Sequence, residues 1–152
     1  MAETTSAREQ ISEGIAAISG SLGELEALLR RVEEGAVHRA DPGGGWTVSQ
    51  VVTHIGHSTM LWVALFERLR RDPELAFVWR EELGHDVVGY APPTAELCAG
   101  RIATTRRTIE TCFTELDEAL LERSCEFPDV GRVTIGYLTP LLIGRASCRE
   151  RV

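Results

Sequence analysis

Lysine is absent from this 152-residue chain: its sixteen basic residues are all arginine, set against twenty-three acidic ones for a net charge of -7. An acidic chain without a basic stripe lacks the footprint that a nucleic-acid backbone demands, so no nucleic-acid partner is expected. The missing lysine points to a GC-rich coding genome more than to any physical need. Long apolar runs are also missing. None reaches the roughly 20 residues of a membrane span, and Pro140 and Gly144 interrupt the longest late one. Residues 1–5 carry neither a basic nor an apolar segment, so no signal peptide is read and the cytoplasm is the expected location. The four cysteines (Cys98, Cys112, Cys125, Cys148) form no C-x-x-C pair and no secreted-domain spacing. Cys98 and Cys112 read as small buried residues, and Cys125 as a loop residue open to thiol chemistry. The glycine run 43–45 lacks the later glycine and Lys-Ser/Thr of a phosphate loop.

What is present suits one domain with one core, since 43% of the residues are apolar. Residues 6–34 predict a first helix. Ser6 and Glu9 match a capping box, and Ile11, Ile15, Ile18, Leu22, Leu25, Leu29 and Val32 recur at helical spacing. Gly35 reads as its stop, and Gly14, Gly20 and Gly23 weaken it or admit a close neighbour. Residues 35–45 predict a loop, with His38 on its surface. Residues 47–71 predict a second helix, with Thr47 and Gln50 as its capping box and Trp46 stapled onto Val51. Val48, Val51, Val52, Ile55, Thr59, Trp62, Phe66 and Leu69 share its inner face. At 100° per residue His54 falls to one side of that face, and His57 lies about 60° farther round. His54 is thus expected at the core's edge, near Ser58 and Leu61, and His57 in solvent.

Asp72-Pro73 opens a short helix to about residue 82. Residues 83–93, with His85-Asp86 and Tyr90, form an irregular loop. Residues 94–116 predict a third helix carrying Leu97, Ile102, Ile109, Cys112, Phe113 and Leu116. Residues 124–132 predict a loop, after which Thr134 caps a fourth helix that buries Leu138, Leu141 and Leu142. Residues 143–152 (IGRASCRERV) carry no apolar stripe and read, in one frame, as a common sequencing-adapter DNA. We therefore expect a bundle domain over 1–142 with an incomplete last helix, and a non-native adapter-derived tail over 143–152. Uncovered helix faces would then favour association, so a homodimer is admitted.

Trp46-Thr47-Val48-Ser49-Gln50-Val51-Val52-Thr53-His54-Ile55 resembles the second-helix signature of the DinB-like superfamily, and Gly131-Arg132-Val133-Thr134-Ile135-Gly136-Tyr137-Leu138 resembles its entry into the last helix. That superfamily includes mycothiol-dependent maleylpyruvate isomerases and bacillithiol transferases. The resemblance implies an all-α, up-down-down-up four-helix bundle of the DinB-like metalloenzyme type, here with its fourth helix truncated. It implies a divalent metal, zinc or nickel, held by three side chains. One is the second-helix histidine, carried over here to His54. The other two come from a His-x-x-x-His or Glu-x-x-x-His pair on the last helix. Mycothiol or bacillithiol would be the co-substrate and a small electrophile the partner.

The chain departs from that pattern after Tyr137, where no histidine follows and Glu150 lies in the suspected tail. No catalytic residue is assigned. Two readings follow. One is a metal-dependent thiol S-transferase or isomerase-like enzyme, inactive as truncated. The other is a non-catalytic bundle that binds a small molecule or a protein. A histidine or glutamate followed four residues later by histidine, beyond Leu142 in the natural chain, separates them.

Overall fold

The computed structural model describes residues 6–40, 42, 43, 45–72, 91–127, 131–137 and 139. In chain order these form α1 (Ala7–Leu29), a 3-10 helix (Glu34–His38), α2 (Val48–Arg71), α3 (Ala95–Cys112), the short α4 (Glu118–Leu121), and the strands β1 (Ser124–Phe127) and β2 (Gly131–Thr134). The expected helix over residues 73–82, the loop residues His85, Asp86 and Tyr90, and the leucines 138, 141 and 142 lie outside the described residues.

The long helices begin where local chemistry starts them. Ser6 Oγ accepts from Glu9 N at 3.2 Å, while Ser6 N donates to Glu9 Oε2 at 2.8 Å. Thr47 and Gln50 repeat the pair on α2, at 3.2 and 2.8 Å. Thr94 Oγ1 caps α3 by accepting from Leu97 N at 3.1 Å. Each cap satisfies an amide that the helix itself leaves unbonded, and is worth about 1 kcal/mol. The bonds from Ser6 hold the Glu9 carboxyl below its ordinary value.

Cross-links between helices give their directions. Between α1 with its C-cap Arg30 and α3 with the turn that follows it, Arg8 meets Leu116 O (3.0 Å), Ser19 meets Glu110, Glu26 meets Arg106 (3.4 Å) and Arg30 meets Glu96 (2.7 Å). The partners run in opposite order, so α1 and α3 are antiparallel. On α2 and α3, Thr53 meets Arg101 (3.2 Å) and Arg70 meets Glu115 O (3.1 Å), so these two are parallel. The order is therefore up-down-down. Helix α3 packs on both of the others and is the centre of the described core. Its Cys98, Ala99 and Ile102 have no exposed surface, and Phe113 meets Phe66 of α2 edge-on at 5.3 Å.

Close approach between parallel α2 and α3 needs a small residue. A Cβ added at Gly56 would lie 3.3 Å from Thr105 Oγ1 and 3.4 Å from the Arg101 stem. On the antiparallel seam, the Arg106 guanidinium lies over Gly23, where a Cβ would come within 2.8 Å of it, whereas Gly20 meets nothing. Gly23 thus does admit a neighbour, as one of the two sequence readings had it.

Several expectations are corrected. The first helix ends at Leu29, not near residue 34, and Gly35 lies inside the 3-10 helix instead of stopping α1. The tighter turn tucks Val37 into the core, a burial that an extended α1 would forgo. Residues 124–132 are not all loop. Strands β1 and β2 pair antiparallel from Ser124↔Thr134 to Phe127↔Gly131, and Gly131 takes the positive φ of 86° that a side chain would resist. Arg123, just before the hairpin, donates to Leu69 O and to Asp72 O (3.4 Å), satisfying carbonyls at the end of α2. Ile135 N then bonds back to Arg123 O at 2.8 Å. Thr134 is the expected cap: its Oγ1 accepts from Tyr137 N at 3.2 Å, opening a further helical segment. Leu97, placed in the apolar set of α3, is 54% exposed, and Val48 is exposed rather than inner-facing.

Candidate functional site

His54 sits two turns into α2, half-buried as its angle predicted. The α3-facing flank of α2 is marked by Ser49, Thr53 and Gly56, and His54 lies about 130° around the helix from it. It therefore faces away from α3, on the flank of Ser58 and Leu61, where a bundle has room for another helix. Trp46, expected to staple onto Val51, sets its ring against this imidazole, with centroids 4.9 Å apart and planes tilted by 56°. The residue that precedes the cap thus also forms one wall around the candidate ligand.

The start of α2 is held in place from behind. Ser49, fully buried, donates to Pro92 O, and Thr53 Oγ1 donates to Ser49 O (2.9 Å) while accepting from Arg101 Nη1. His38, read from sequence as a plain surface residue, is exposed but bonded: its Nε2–H donates to Pro93 O at 2.8 Å. The two carbonyls that lead into α3 are thus gripped from opposite sides, one by α2 and one by the 3-10 helix. No sequence signal announced His38 in this role, because its partner lies 55 residues away.

The Cys98 thiol joins this cluster. Burial pushes it above its ordinary value, outweighing the hydrogen bond to Ser49 and the nearby Arg101 charge, both of which favour the thiolate. Burial also raises the Cys112 thiol, with Glu115 and Glu67 adding to it. Both cysteines are therefore held as thiols, in keeping with a packing role and against a nucleophilic one. The Cys125 side chain lies outside the described residues, although its backbone is in β1.

His57 departs from expectation. It is half-buried, and among the described residues its Nδ1 is enclosed without a hydrogen-bond partner. An apolar stripe marks which groups gain by burial and is silent about polar ones that neighbouring chain happens to cover, so this could not be read from periodicity.

Among the described residues, no group of three or more His, Cys, Asp or Glu side chains is placed to hold a metal ion. A bound zinc takes three or four protein donors, and His54 would be only one of them. The described residues therefore do not by themselves accommodate the metal that the family resemblance implies.

Residues 17–144 match the family model of the DinB superfamily. Among solved structures, YfiT from Bacillus subtilis superposes with a TM-score of 0.70 over 96% of this chain and 84% of its own, at 18% sequence identity. At that identity the likeness is one of fold, and the fold is a four-helix bundle. YfiT itself is described as a probable metal-dependent hydrolase with an unusual four-helix bundle topology. No curated protein matches the chain.

Proposed function

Because this chain belongs to the DinB superfamily, we propose that it is the bundle of a divalent-metal-dependent enzyme in which His54 is one of the protein ligands. The reaction class we assign is transfer of a low-molecular-weight thiol, mycothiol or bacillithiol, to a small electrophile, or an isomerisation assisted by such a thiol. The observation that carries the reading is the placement of His54. It is half-buried, set against Trp46, and turned to the flank of α2 that α3 does not occupy. An imidazole in that position meets donors from a further helix, and two donors four residues apart on that helix share a face. This reading includes the expectation that the natural protein departs from the present sequence after Leu142 and supplies those donors there.

The experiment is elemental analysis of the natural full-length protein beside its His54→Ala variant, followed by a thiol-transfer assay. We expect about one zinc or nickel per chain in the parent, since a structural or catalytic site closes on a single ion, and none retained by the variant after dialysis. Equal metal content in both would remove His54 from the site. Metal present without thiol transfer, but with hydrolysis of an ester or amide, would move the reaction class toward that described for YfiT. A second reading, a non-catalytic module that binds a small molecule or a protein, is favoured by the absence of a three-donor group among the described residues. Absence of metal from the natural full-length protein would select it.

A further inference from the structure

A cavity of about 230 Å³ opens between the first turns of α1 and the end of α3. Its floor is apolar, built from Ile11, Ile15, Phe113, Leu116 and Leu121. Its remaining lining is Arg8, Ser12 and Thr114. His54 lies near the level of Arg101, so the cavity is roughly 20 Å away along α3 at 1.5 Å per residue, toward the other end of the bundle. It belongs to no part of the site described above.

We propose that this cavity is a second binding site, for a small apolar molecule carrying one carboxylate. The size excludes drug-sized ligands, which occupy about 300–1,000 Å³, and suits a single ring or a short chain. Four of the five floor side chains are already buried, so the floor is a preformed apolar surface, and the driving force comes chiefly from the ligand's own apolar surface leaving water. The charge preference comes from Arg8. Its Nη2 donates to Leu116 O at 3.0 Å, which fixes the guanidinium beside the cavity, and its Nε pairs with Glu118 Oε1 at 3.4 Å. A guanidinium has five N–H donors in a planar fork, so these two bonds leave others to take a carboxylate. The Glu118 side chain is 73% exposed and makes an ion pair of the weak, solvent-screened kind. A ligand carboxylate seated over the apolar floor therefore competes with Glu118 for Arg8. Ser12 and Thr114 offer hydroxyls at the same cavity, although the Thr114 hydroxyl already donates to Glu110 O at 2.6 Å.

The competition makes the site testable in both directions. Phenylacetate and its neutral analogue benzyl alcohol would be titrated into the intact 152-residue chain, followed by amide chemical shifts. Phenylacetate should bind saturably, shift residues of the α1 start and α3 end, and bind about tenfold tighter than the alcohol, the span of one charge-assisted hydrogen bond. Arg8→Gln should remove that preference. Glu118→Gln, which frees the guanidinium, should tighten phenylacetate binding and leave the alcohol unchanged. Equal binding of acid and alcohol to the unaltered protein would overturn the proposal, as would weaker acid binding in Glu118→Gln. Shifts centred on α2 near His54 would do the same. The comparison of ligands on the unaltered chain and the Glu118→Gln arm keep the test decisive even should Arg8→Gln fail to fold.

Discussion

Ile102→Ala is the perturbation that most directly tests α3 as the centre of the bundle. Ile102 has no exposed surface. The change deletes three carbons, worth about 2.4 kcal/mol at ~0.8 kcal/mol each. Collapse around the gap is restricted, because α1 is tied to α3 at both ends through Arg8–Leu116 and Arg30–Glu96, and α2 rests against α3 at Gly56. A residual cavity on the order of 50 Å³, at about 24 cal/mol per Å³, adds roughly 1 kcal/mol. The expected loss is therefore about 3–4 kcal/mol, a large share of the 5–15 kcal/mol typical of a domain. Urea unfolding followed by circular dichroism measures it, and a fall of roughly 6–16 °C in Tm should accompany it for a chain of this size. The internal control is Leu97→Ala on the same helix, where an exposed side chain should cost no more than about 0.5 kcal/mol. A loss below about 1.5 kcal/mol at Ile102, beneath the usual range for such a truncation, would refute the central placement of α3. Equal losses at the two positions would refute the assigned face.

Two glycines one turn apart on α1 should respond oppositely in size. Gly20→Ala gains helix propensity with nothing in the way and should stabilise by about 1 kcal/mol, whereas Gly23→Ala displaces the Arg106 guanidinium from Glu26 and should lose most of that gain, recovering it in an Arg106→Ala background. Equal stabilisation at both sites would show that Arg106 does not rest on Gly23. Cys98, fully buried and held as a thiol, should resist Ellman's reagent in the native protein and react only at the rate of unfolding; rapid modification under native conditions would contradict the packing of α3 against Ser49.

The helices were legible because their signals are local. A capping box involves residues three apart, and an apolar stripe repeats every three or four residues, so both sit within a few turns of one another. Ser6–Glu9 and Thr47–Gln50 form as expected, and the α1 stripe from Ile11 to Leu29 faces the core. The angle that put His54 at the core's edge rests on the same geometry. Leu97 failed because apolar character alone does not place a residue on the inner face: it lies on the Arg101 and Thr104 side of α3, beyond the buried arc of Cys98, Ile102 and Ile109. The hairpin failed because four-residue strands carry too short a pattern to separate from loop, and because its pairing joins residues up to ten apart.

By itself, the sequence determined the helix starts, the buried stripes of α1 and α2, the family to which the chain belongs, and the choice of His54 over His57 as a candidate ligand. The helix starts and stripes follow from backbone hydrogen bonding and the 100° turn, which need no partner to be defined, whereas the family and the candidacy of His54 rest on the resemblance carried by residues 46–55 and 131–138. Tertiary structure alone decided that α3 is the shared neighbour and that α2 and α3 run parallel. It also decided that Trp46 walls His54, that His38 and Ser49 grip the entry to α3, and that a cavity opens beside Arg8 far from the histidine. Each of these depends on contacts between residues distant in sequence, whose energies arise only once three helices have chosen which flanks to bury against one another.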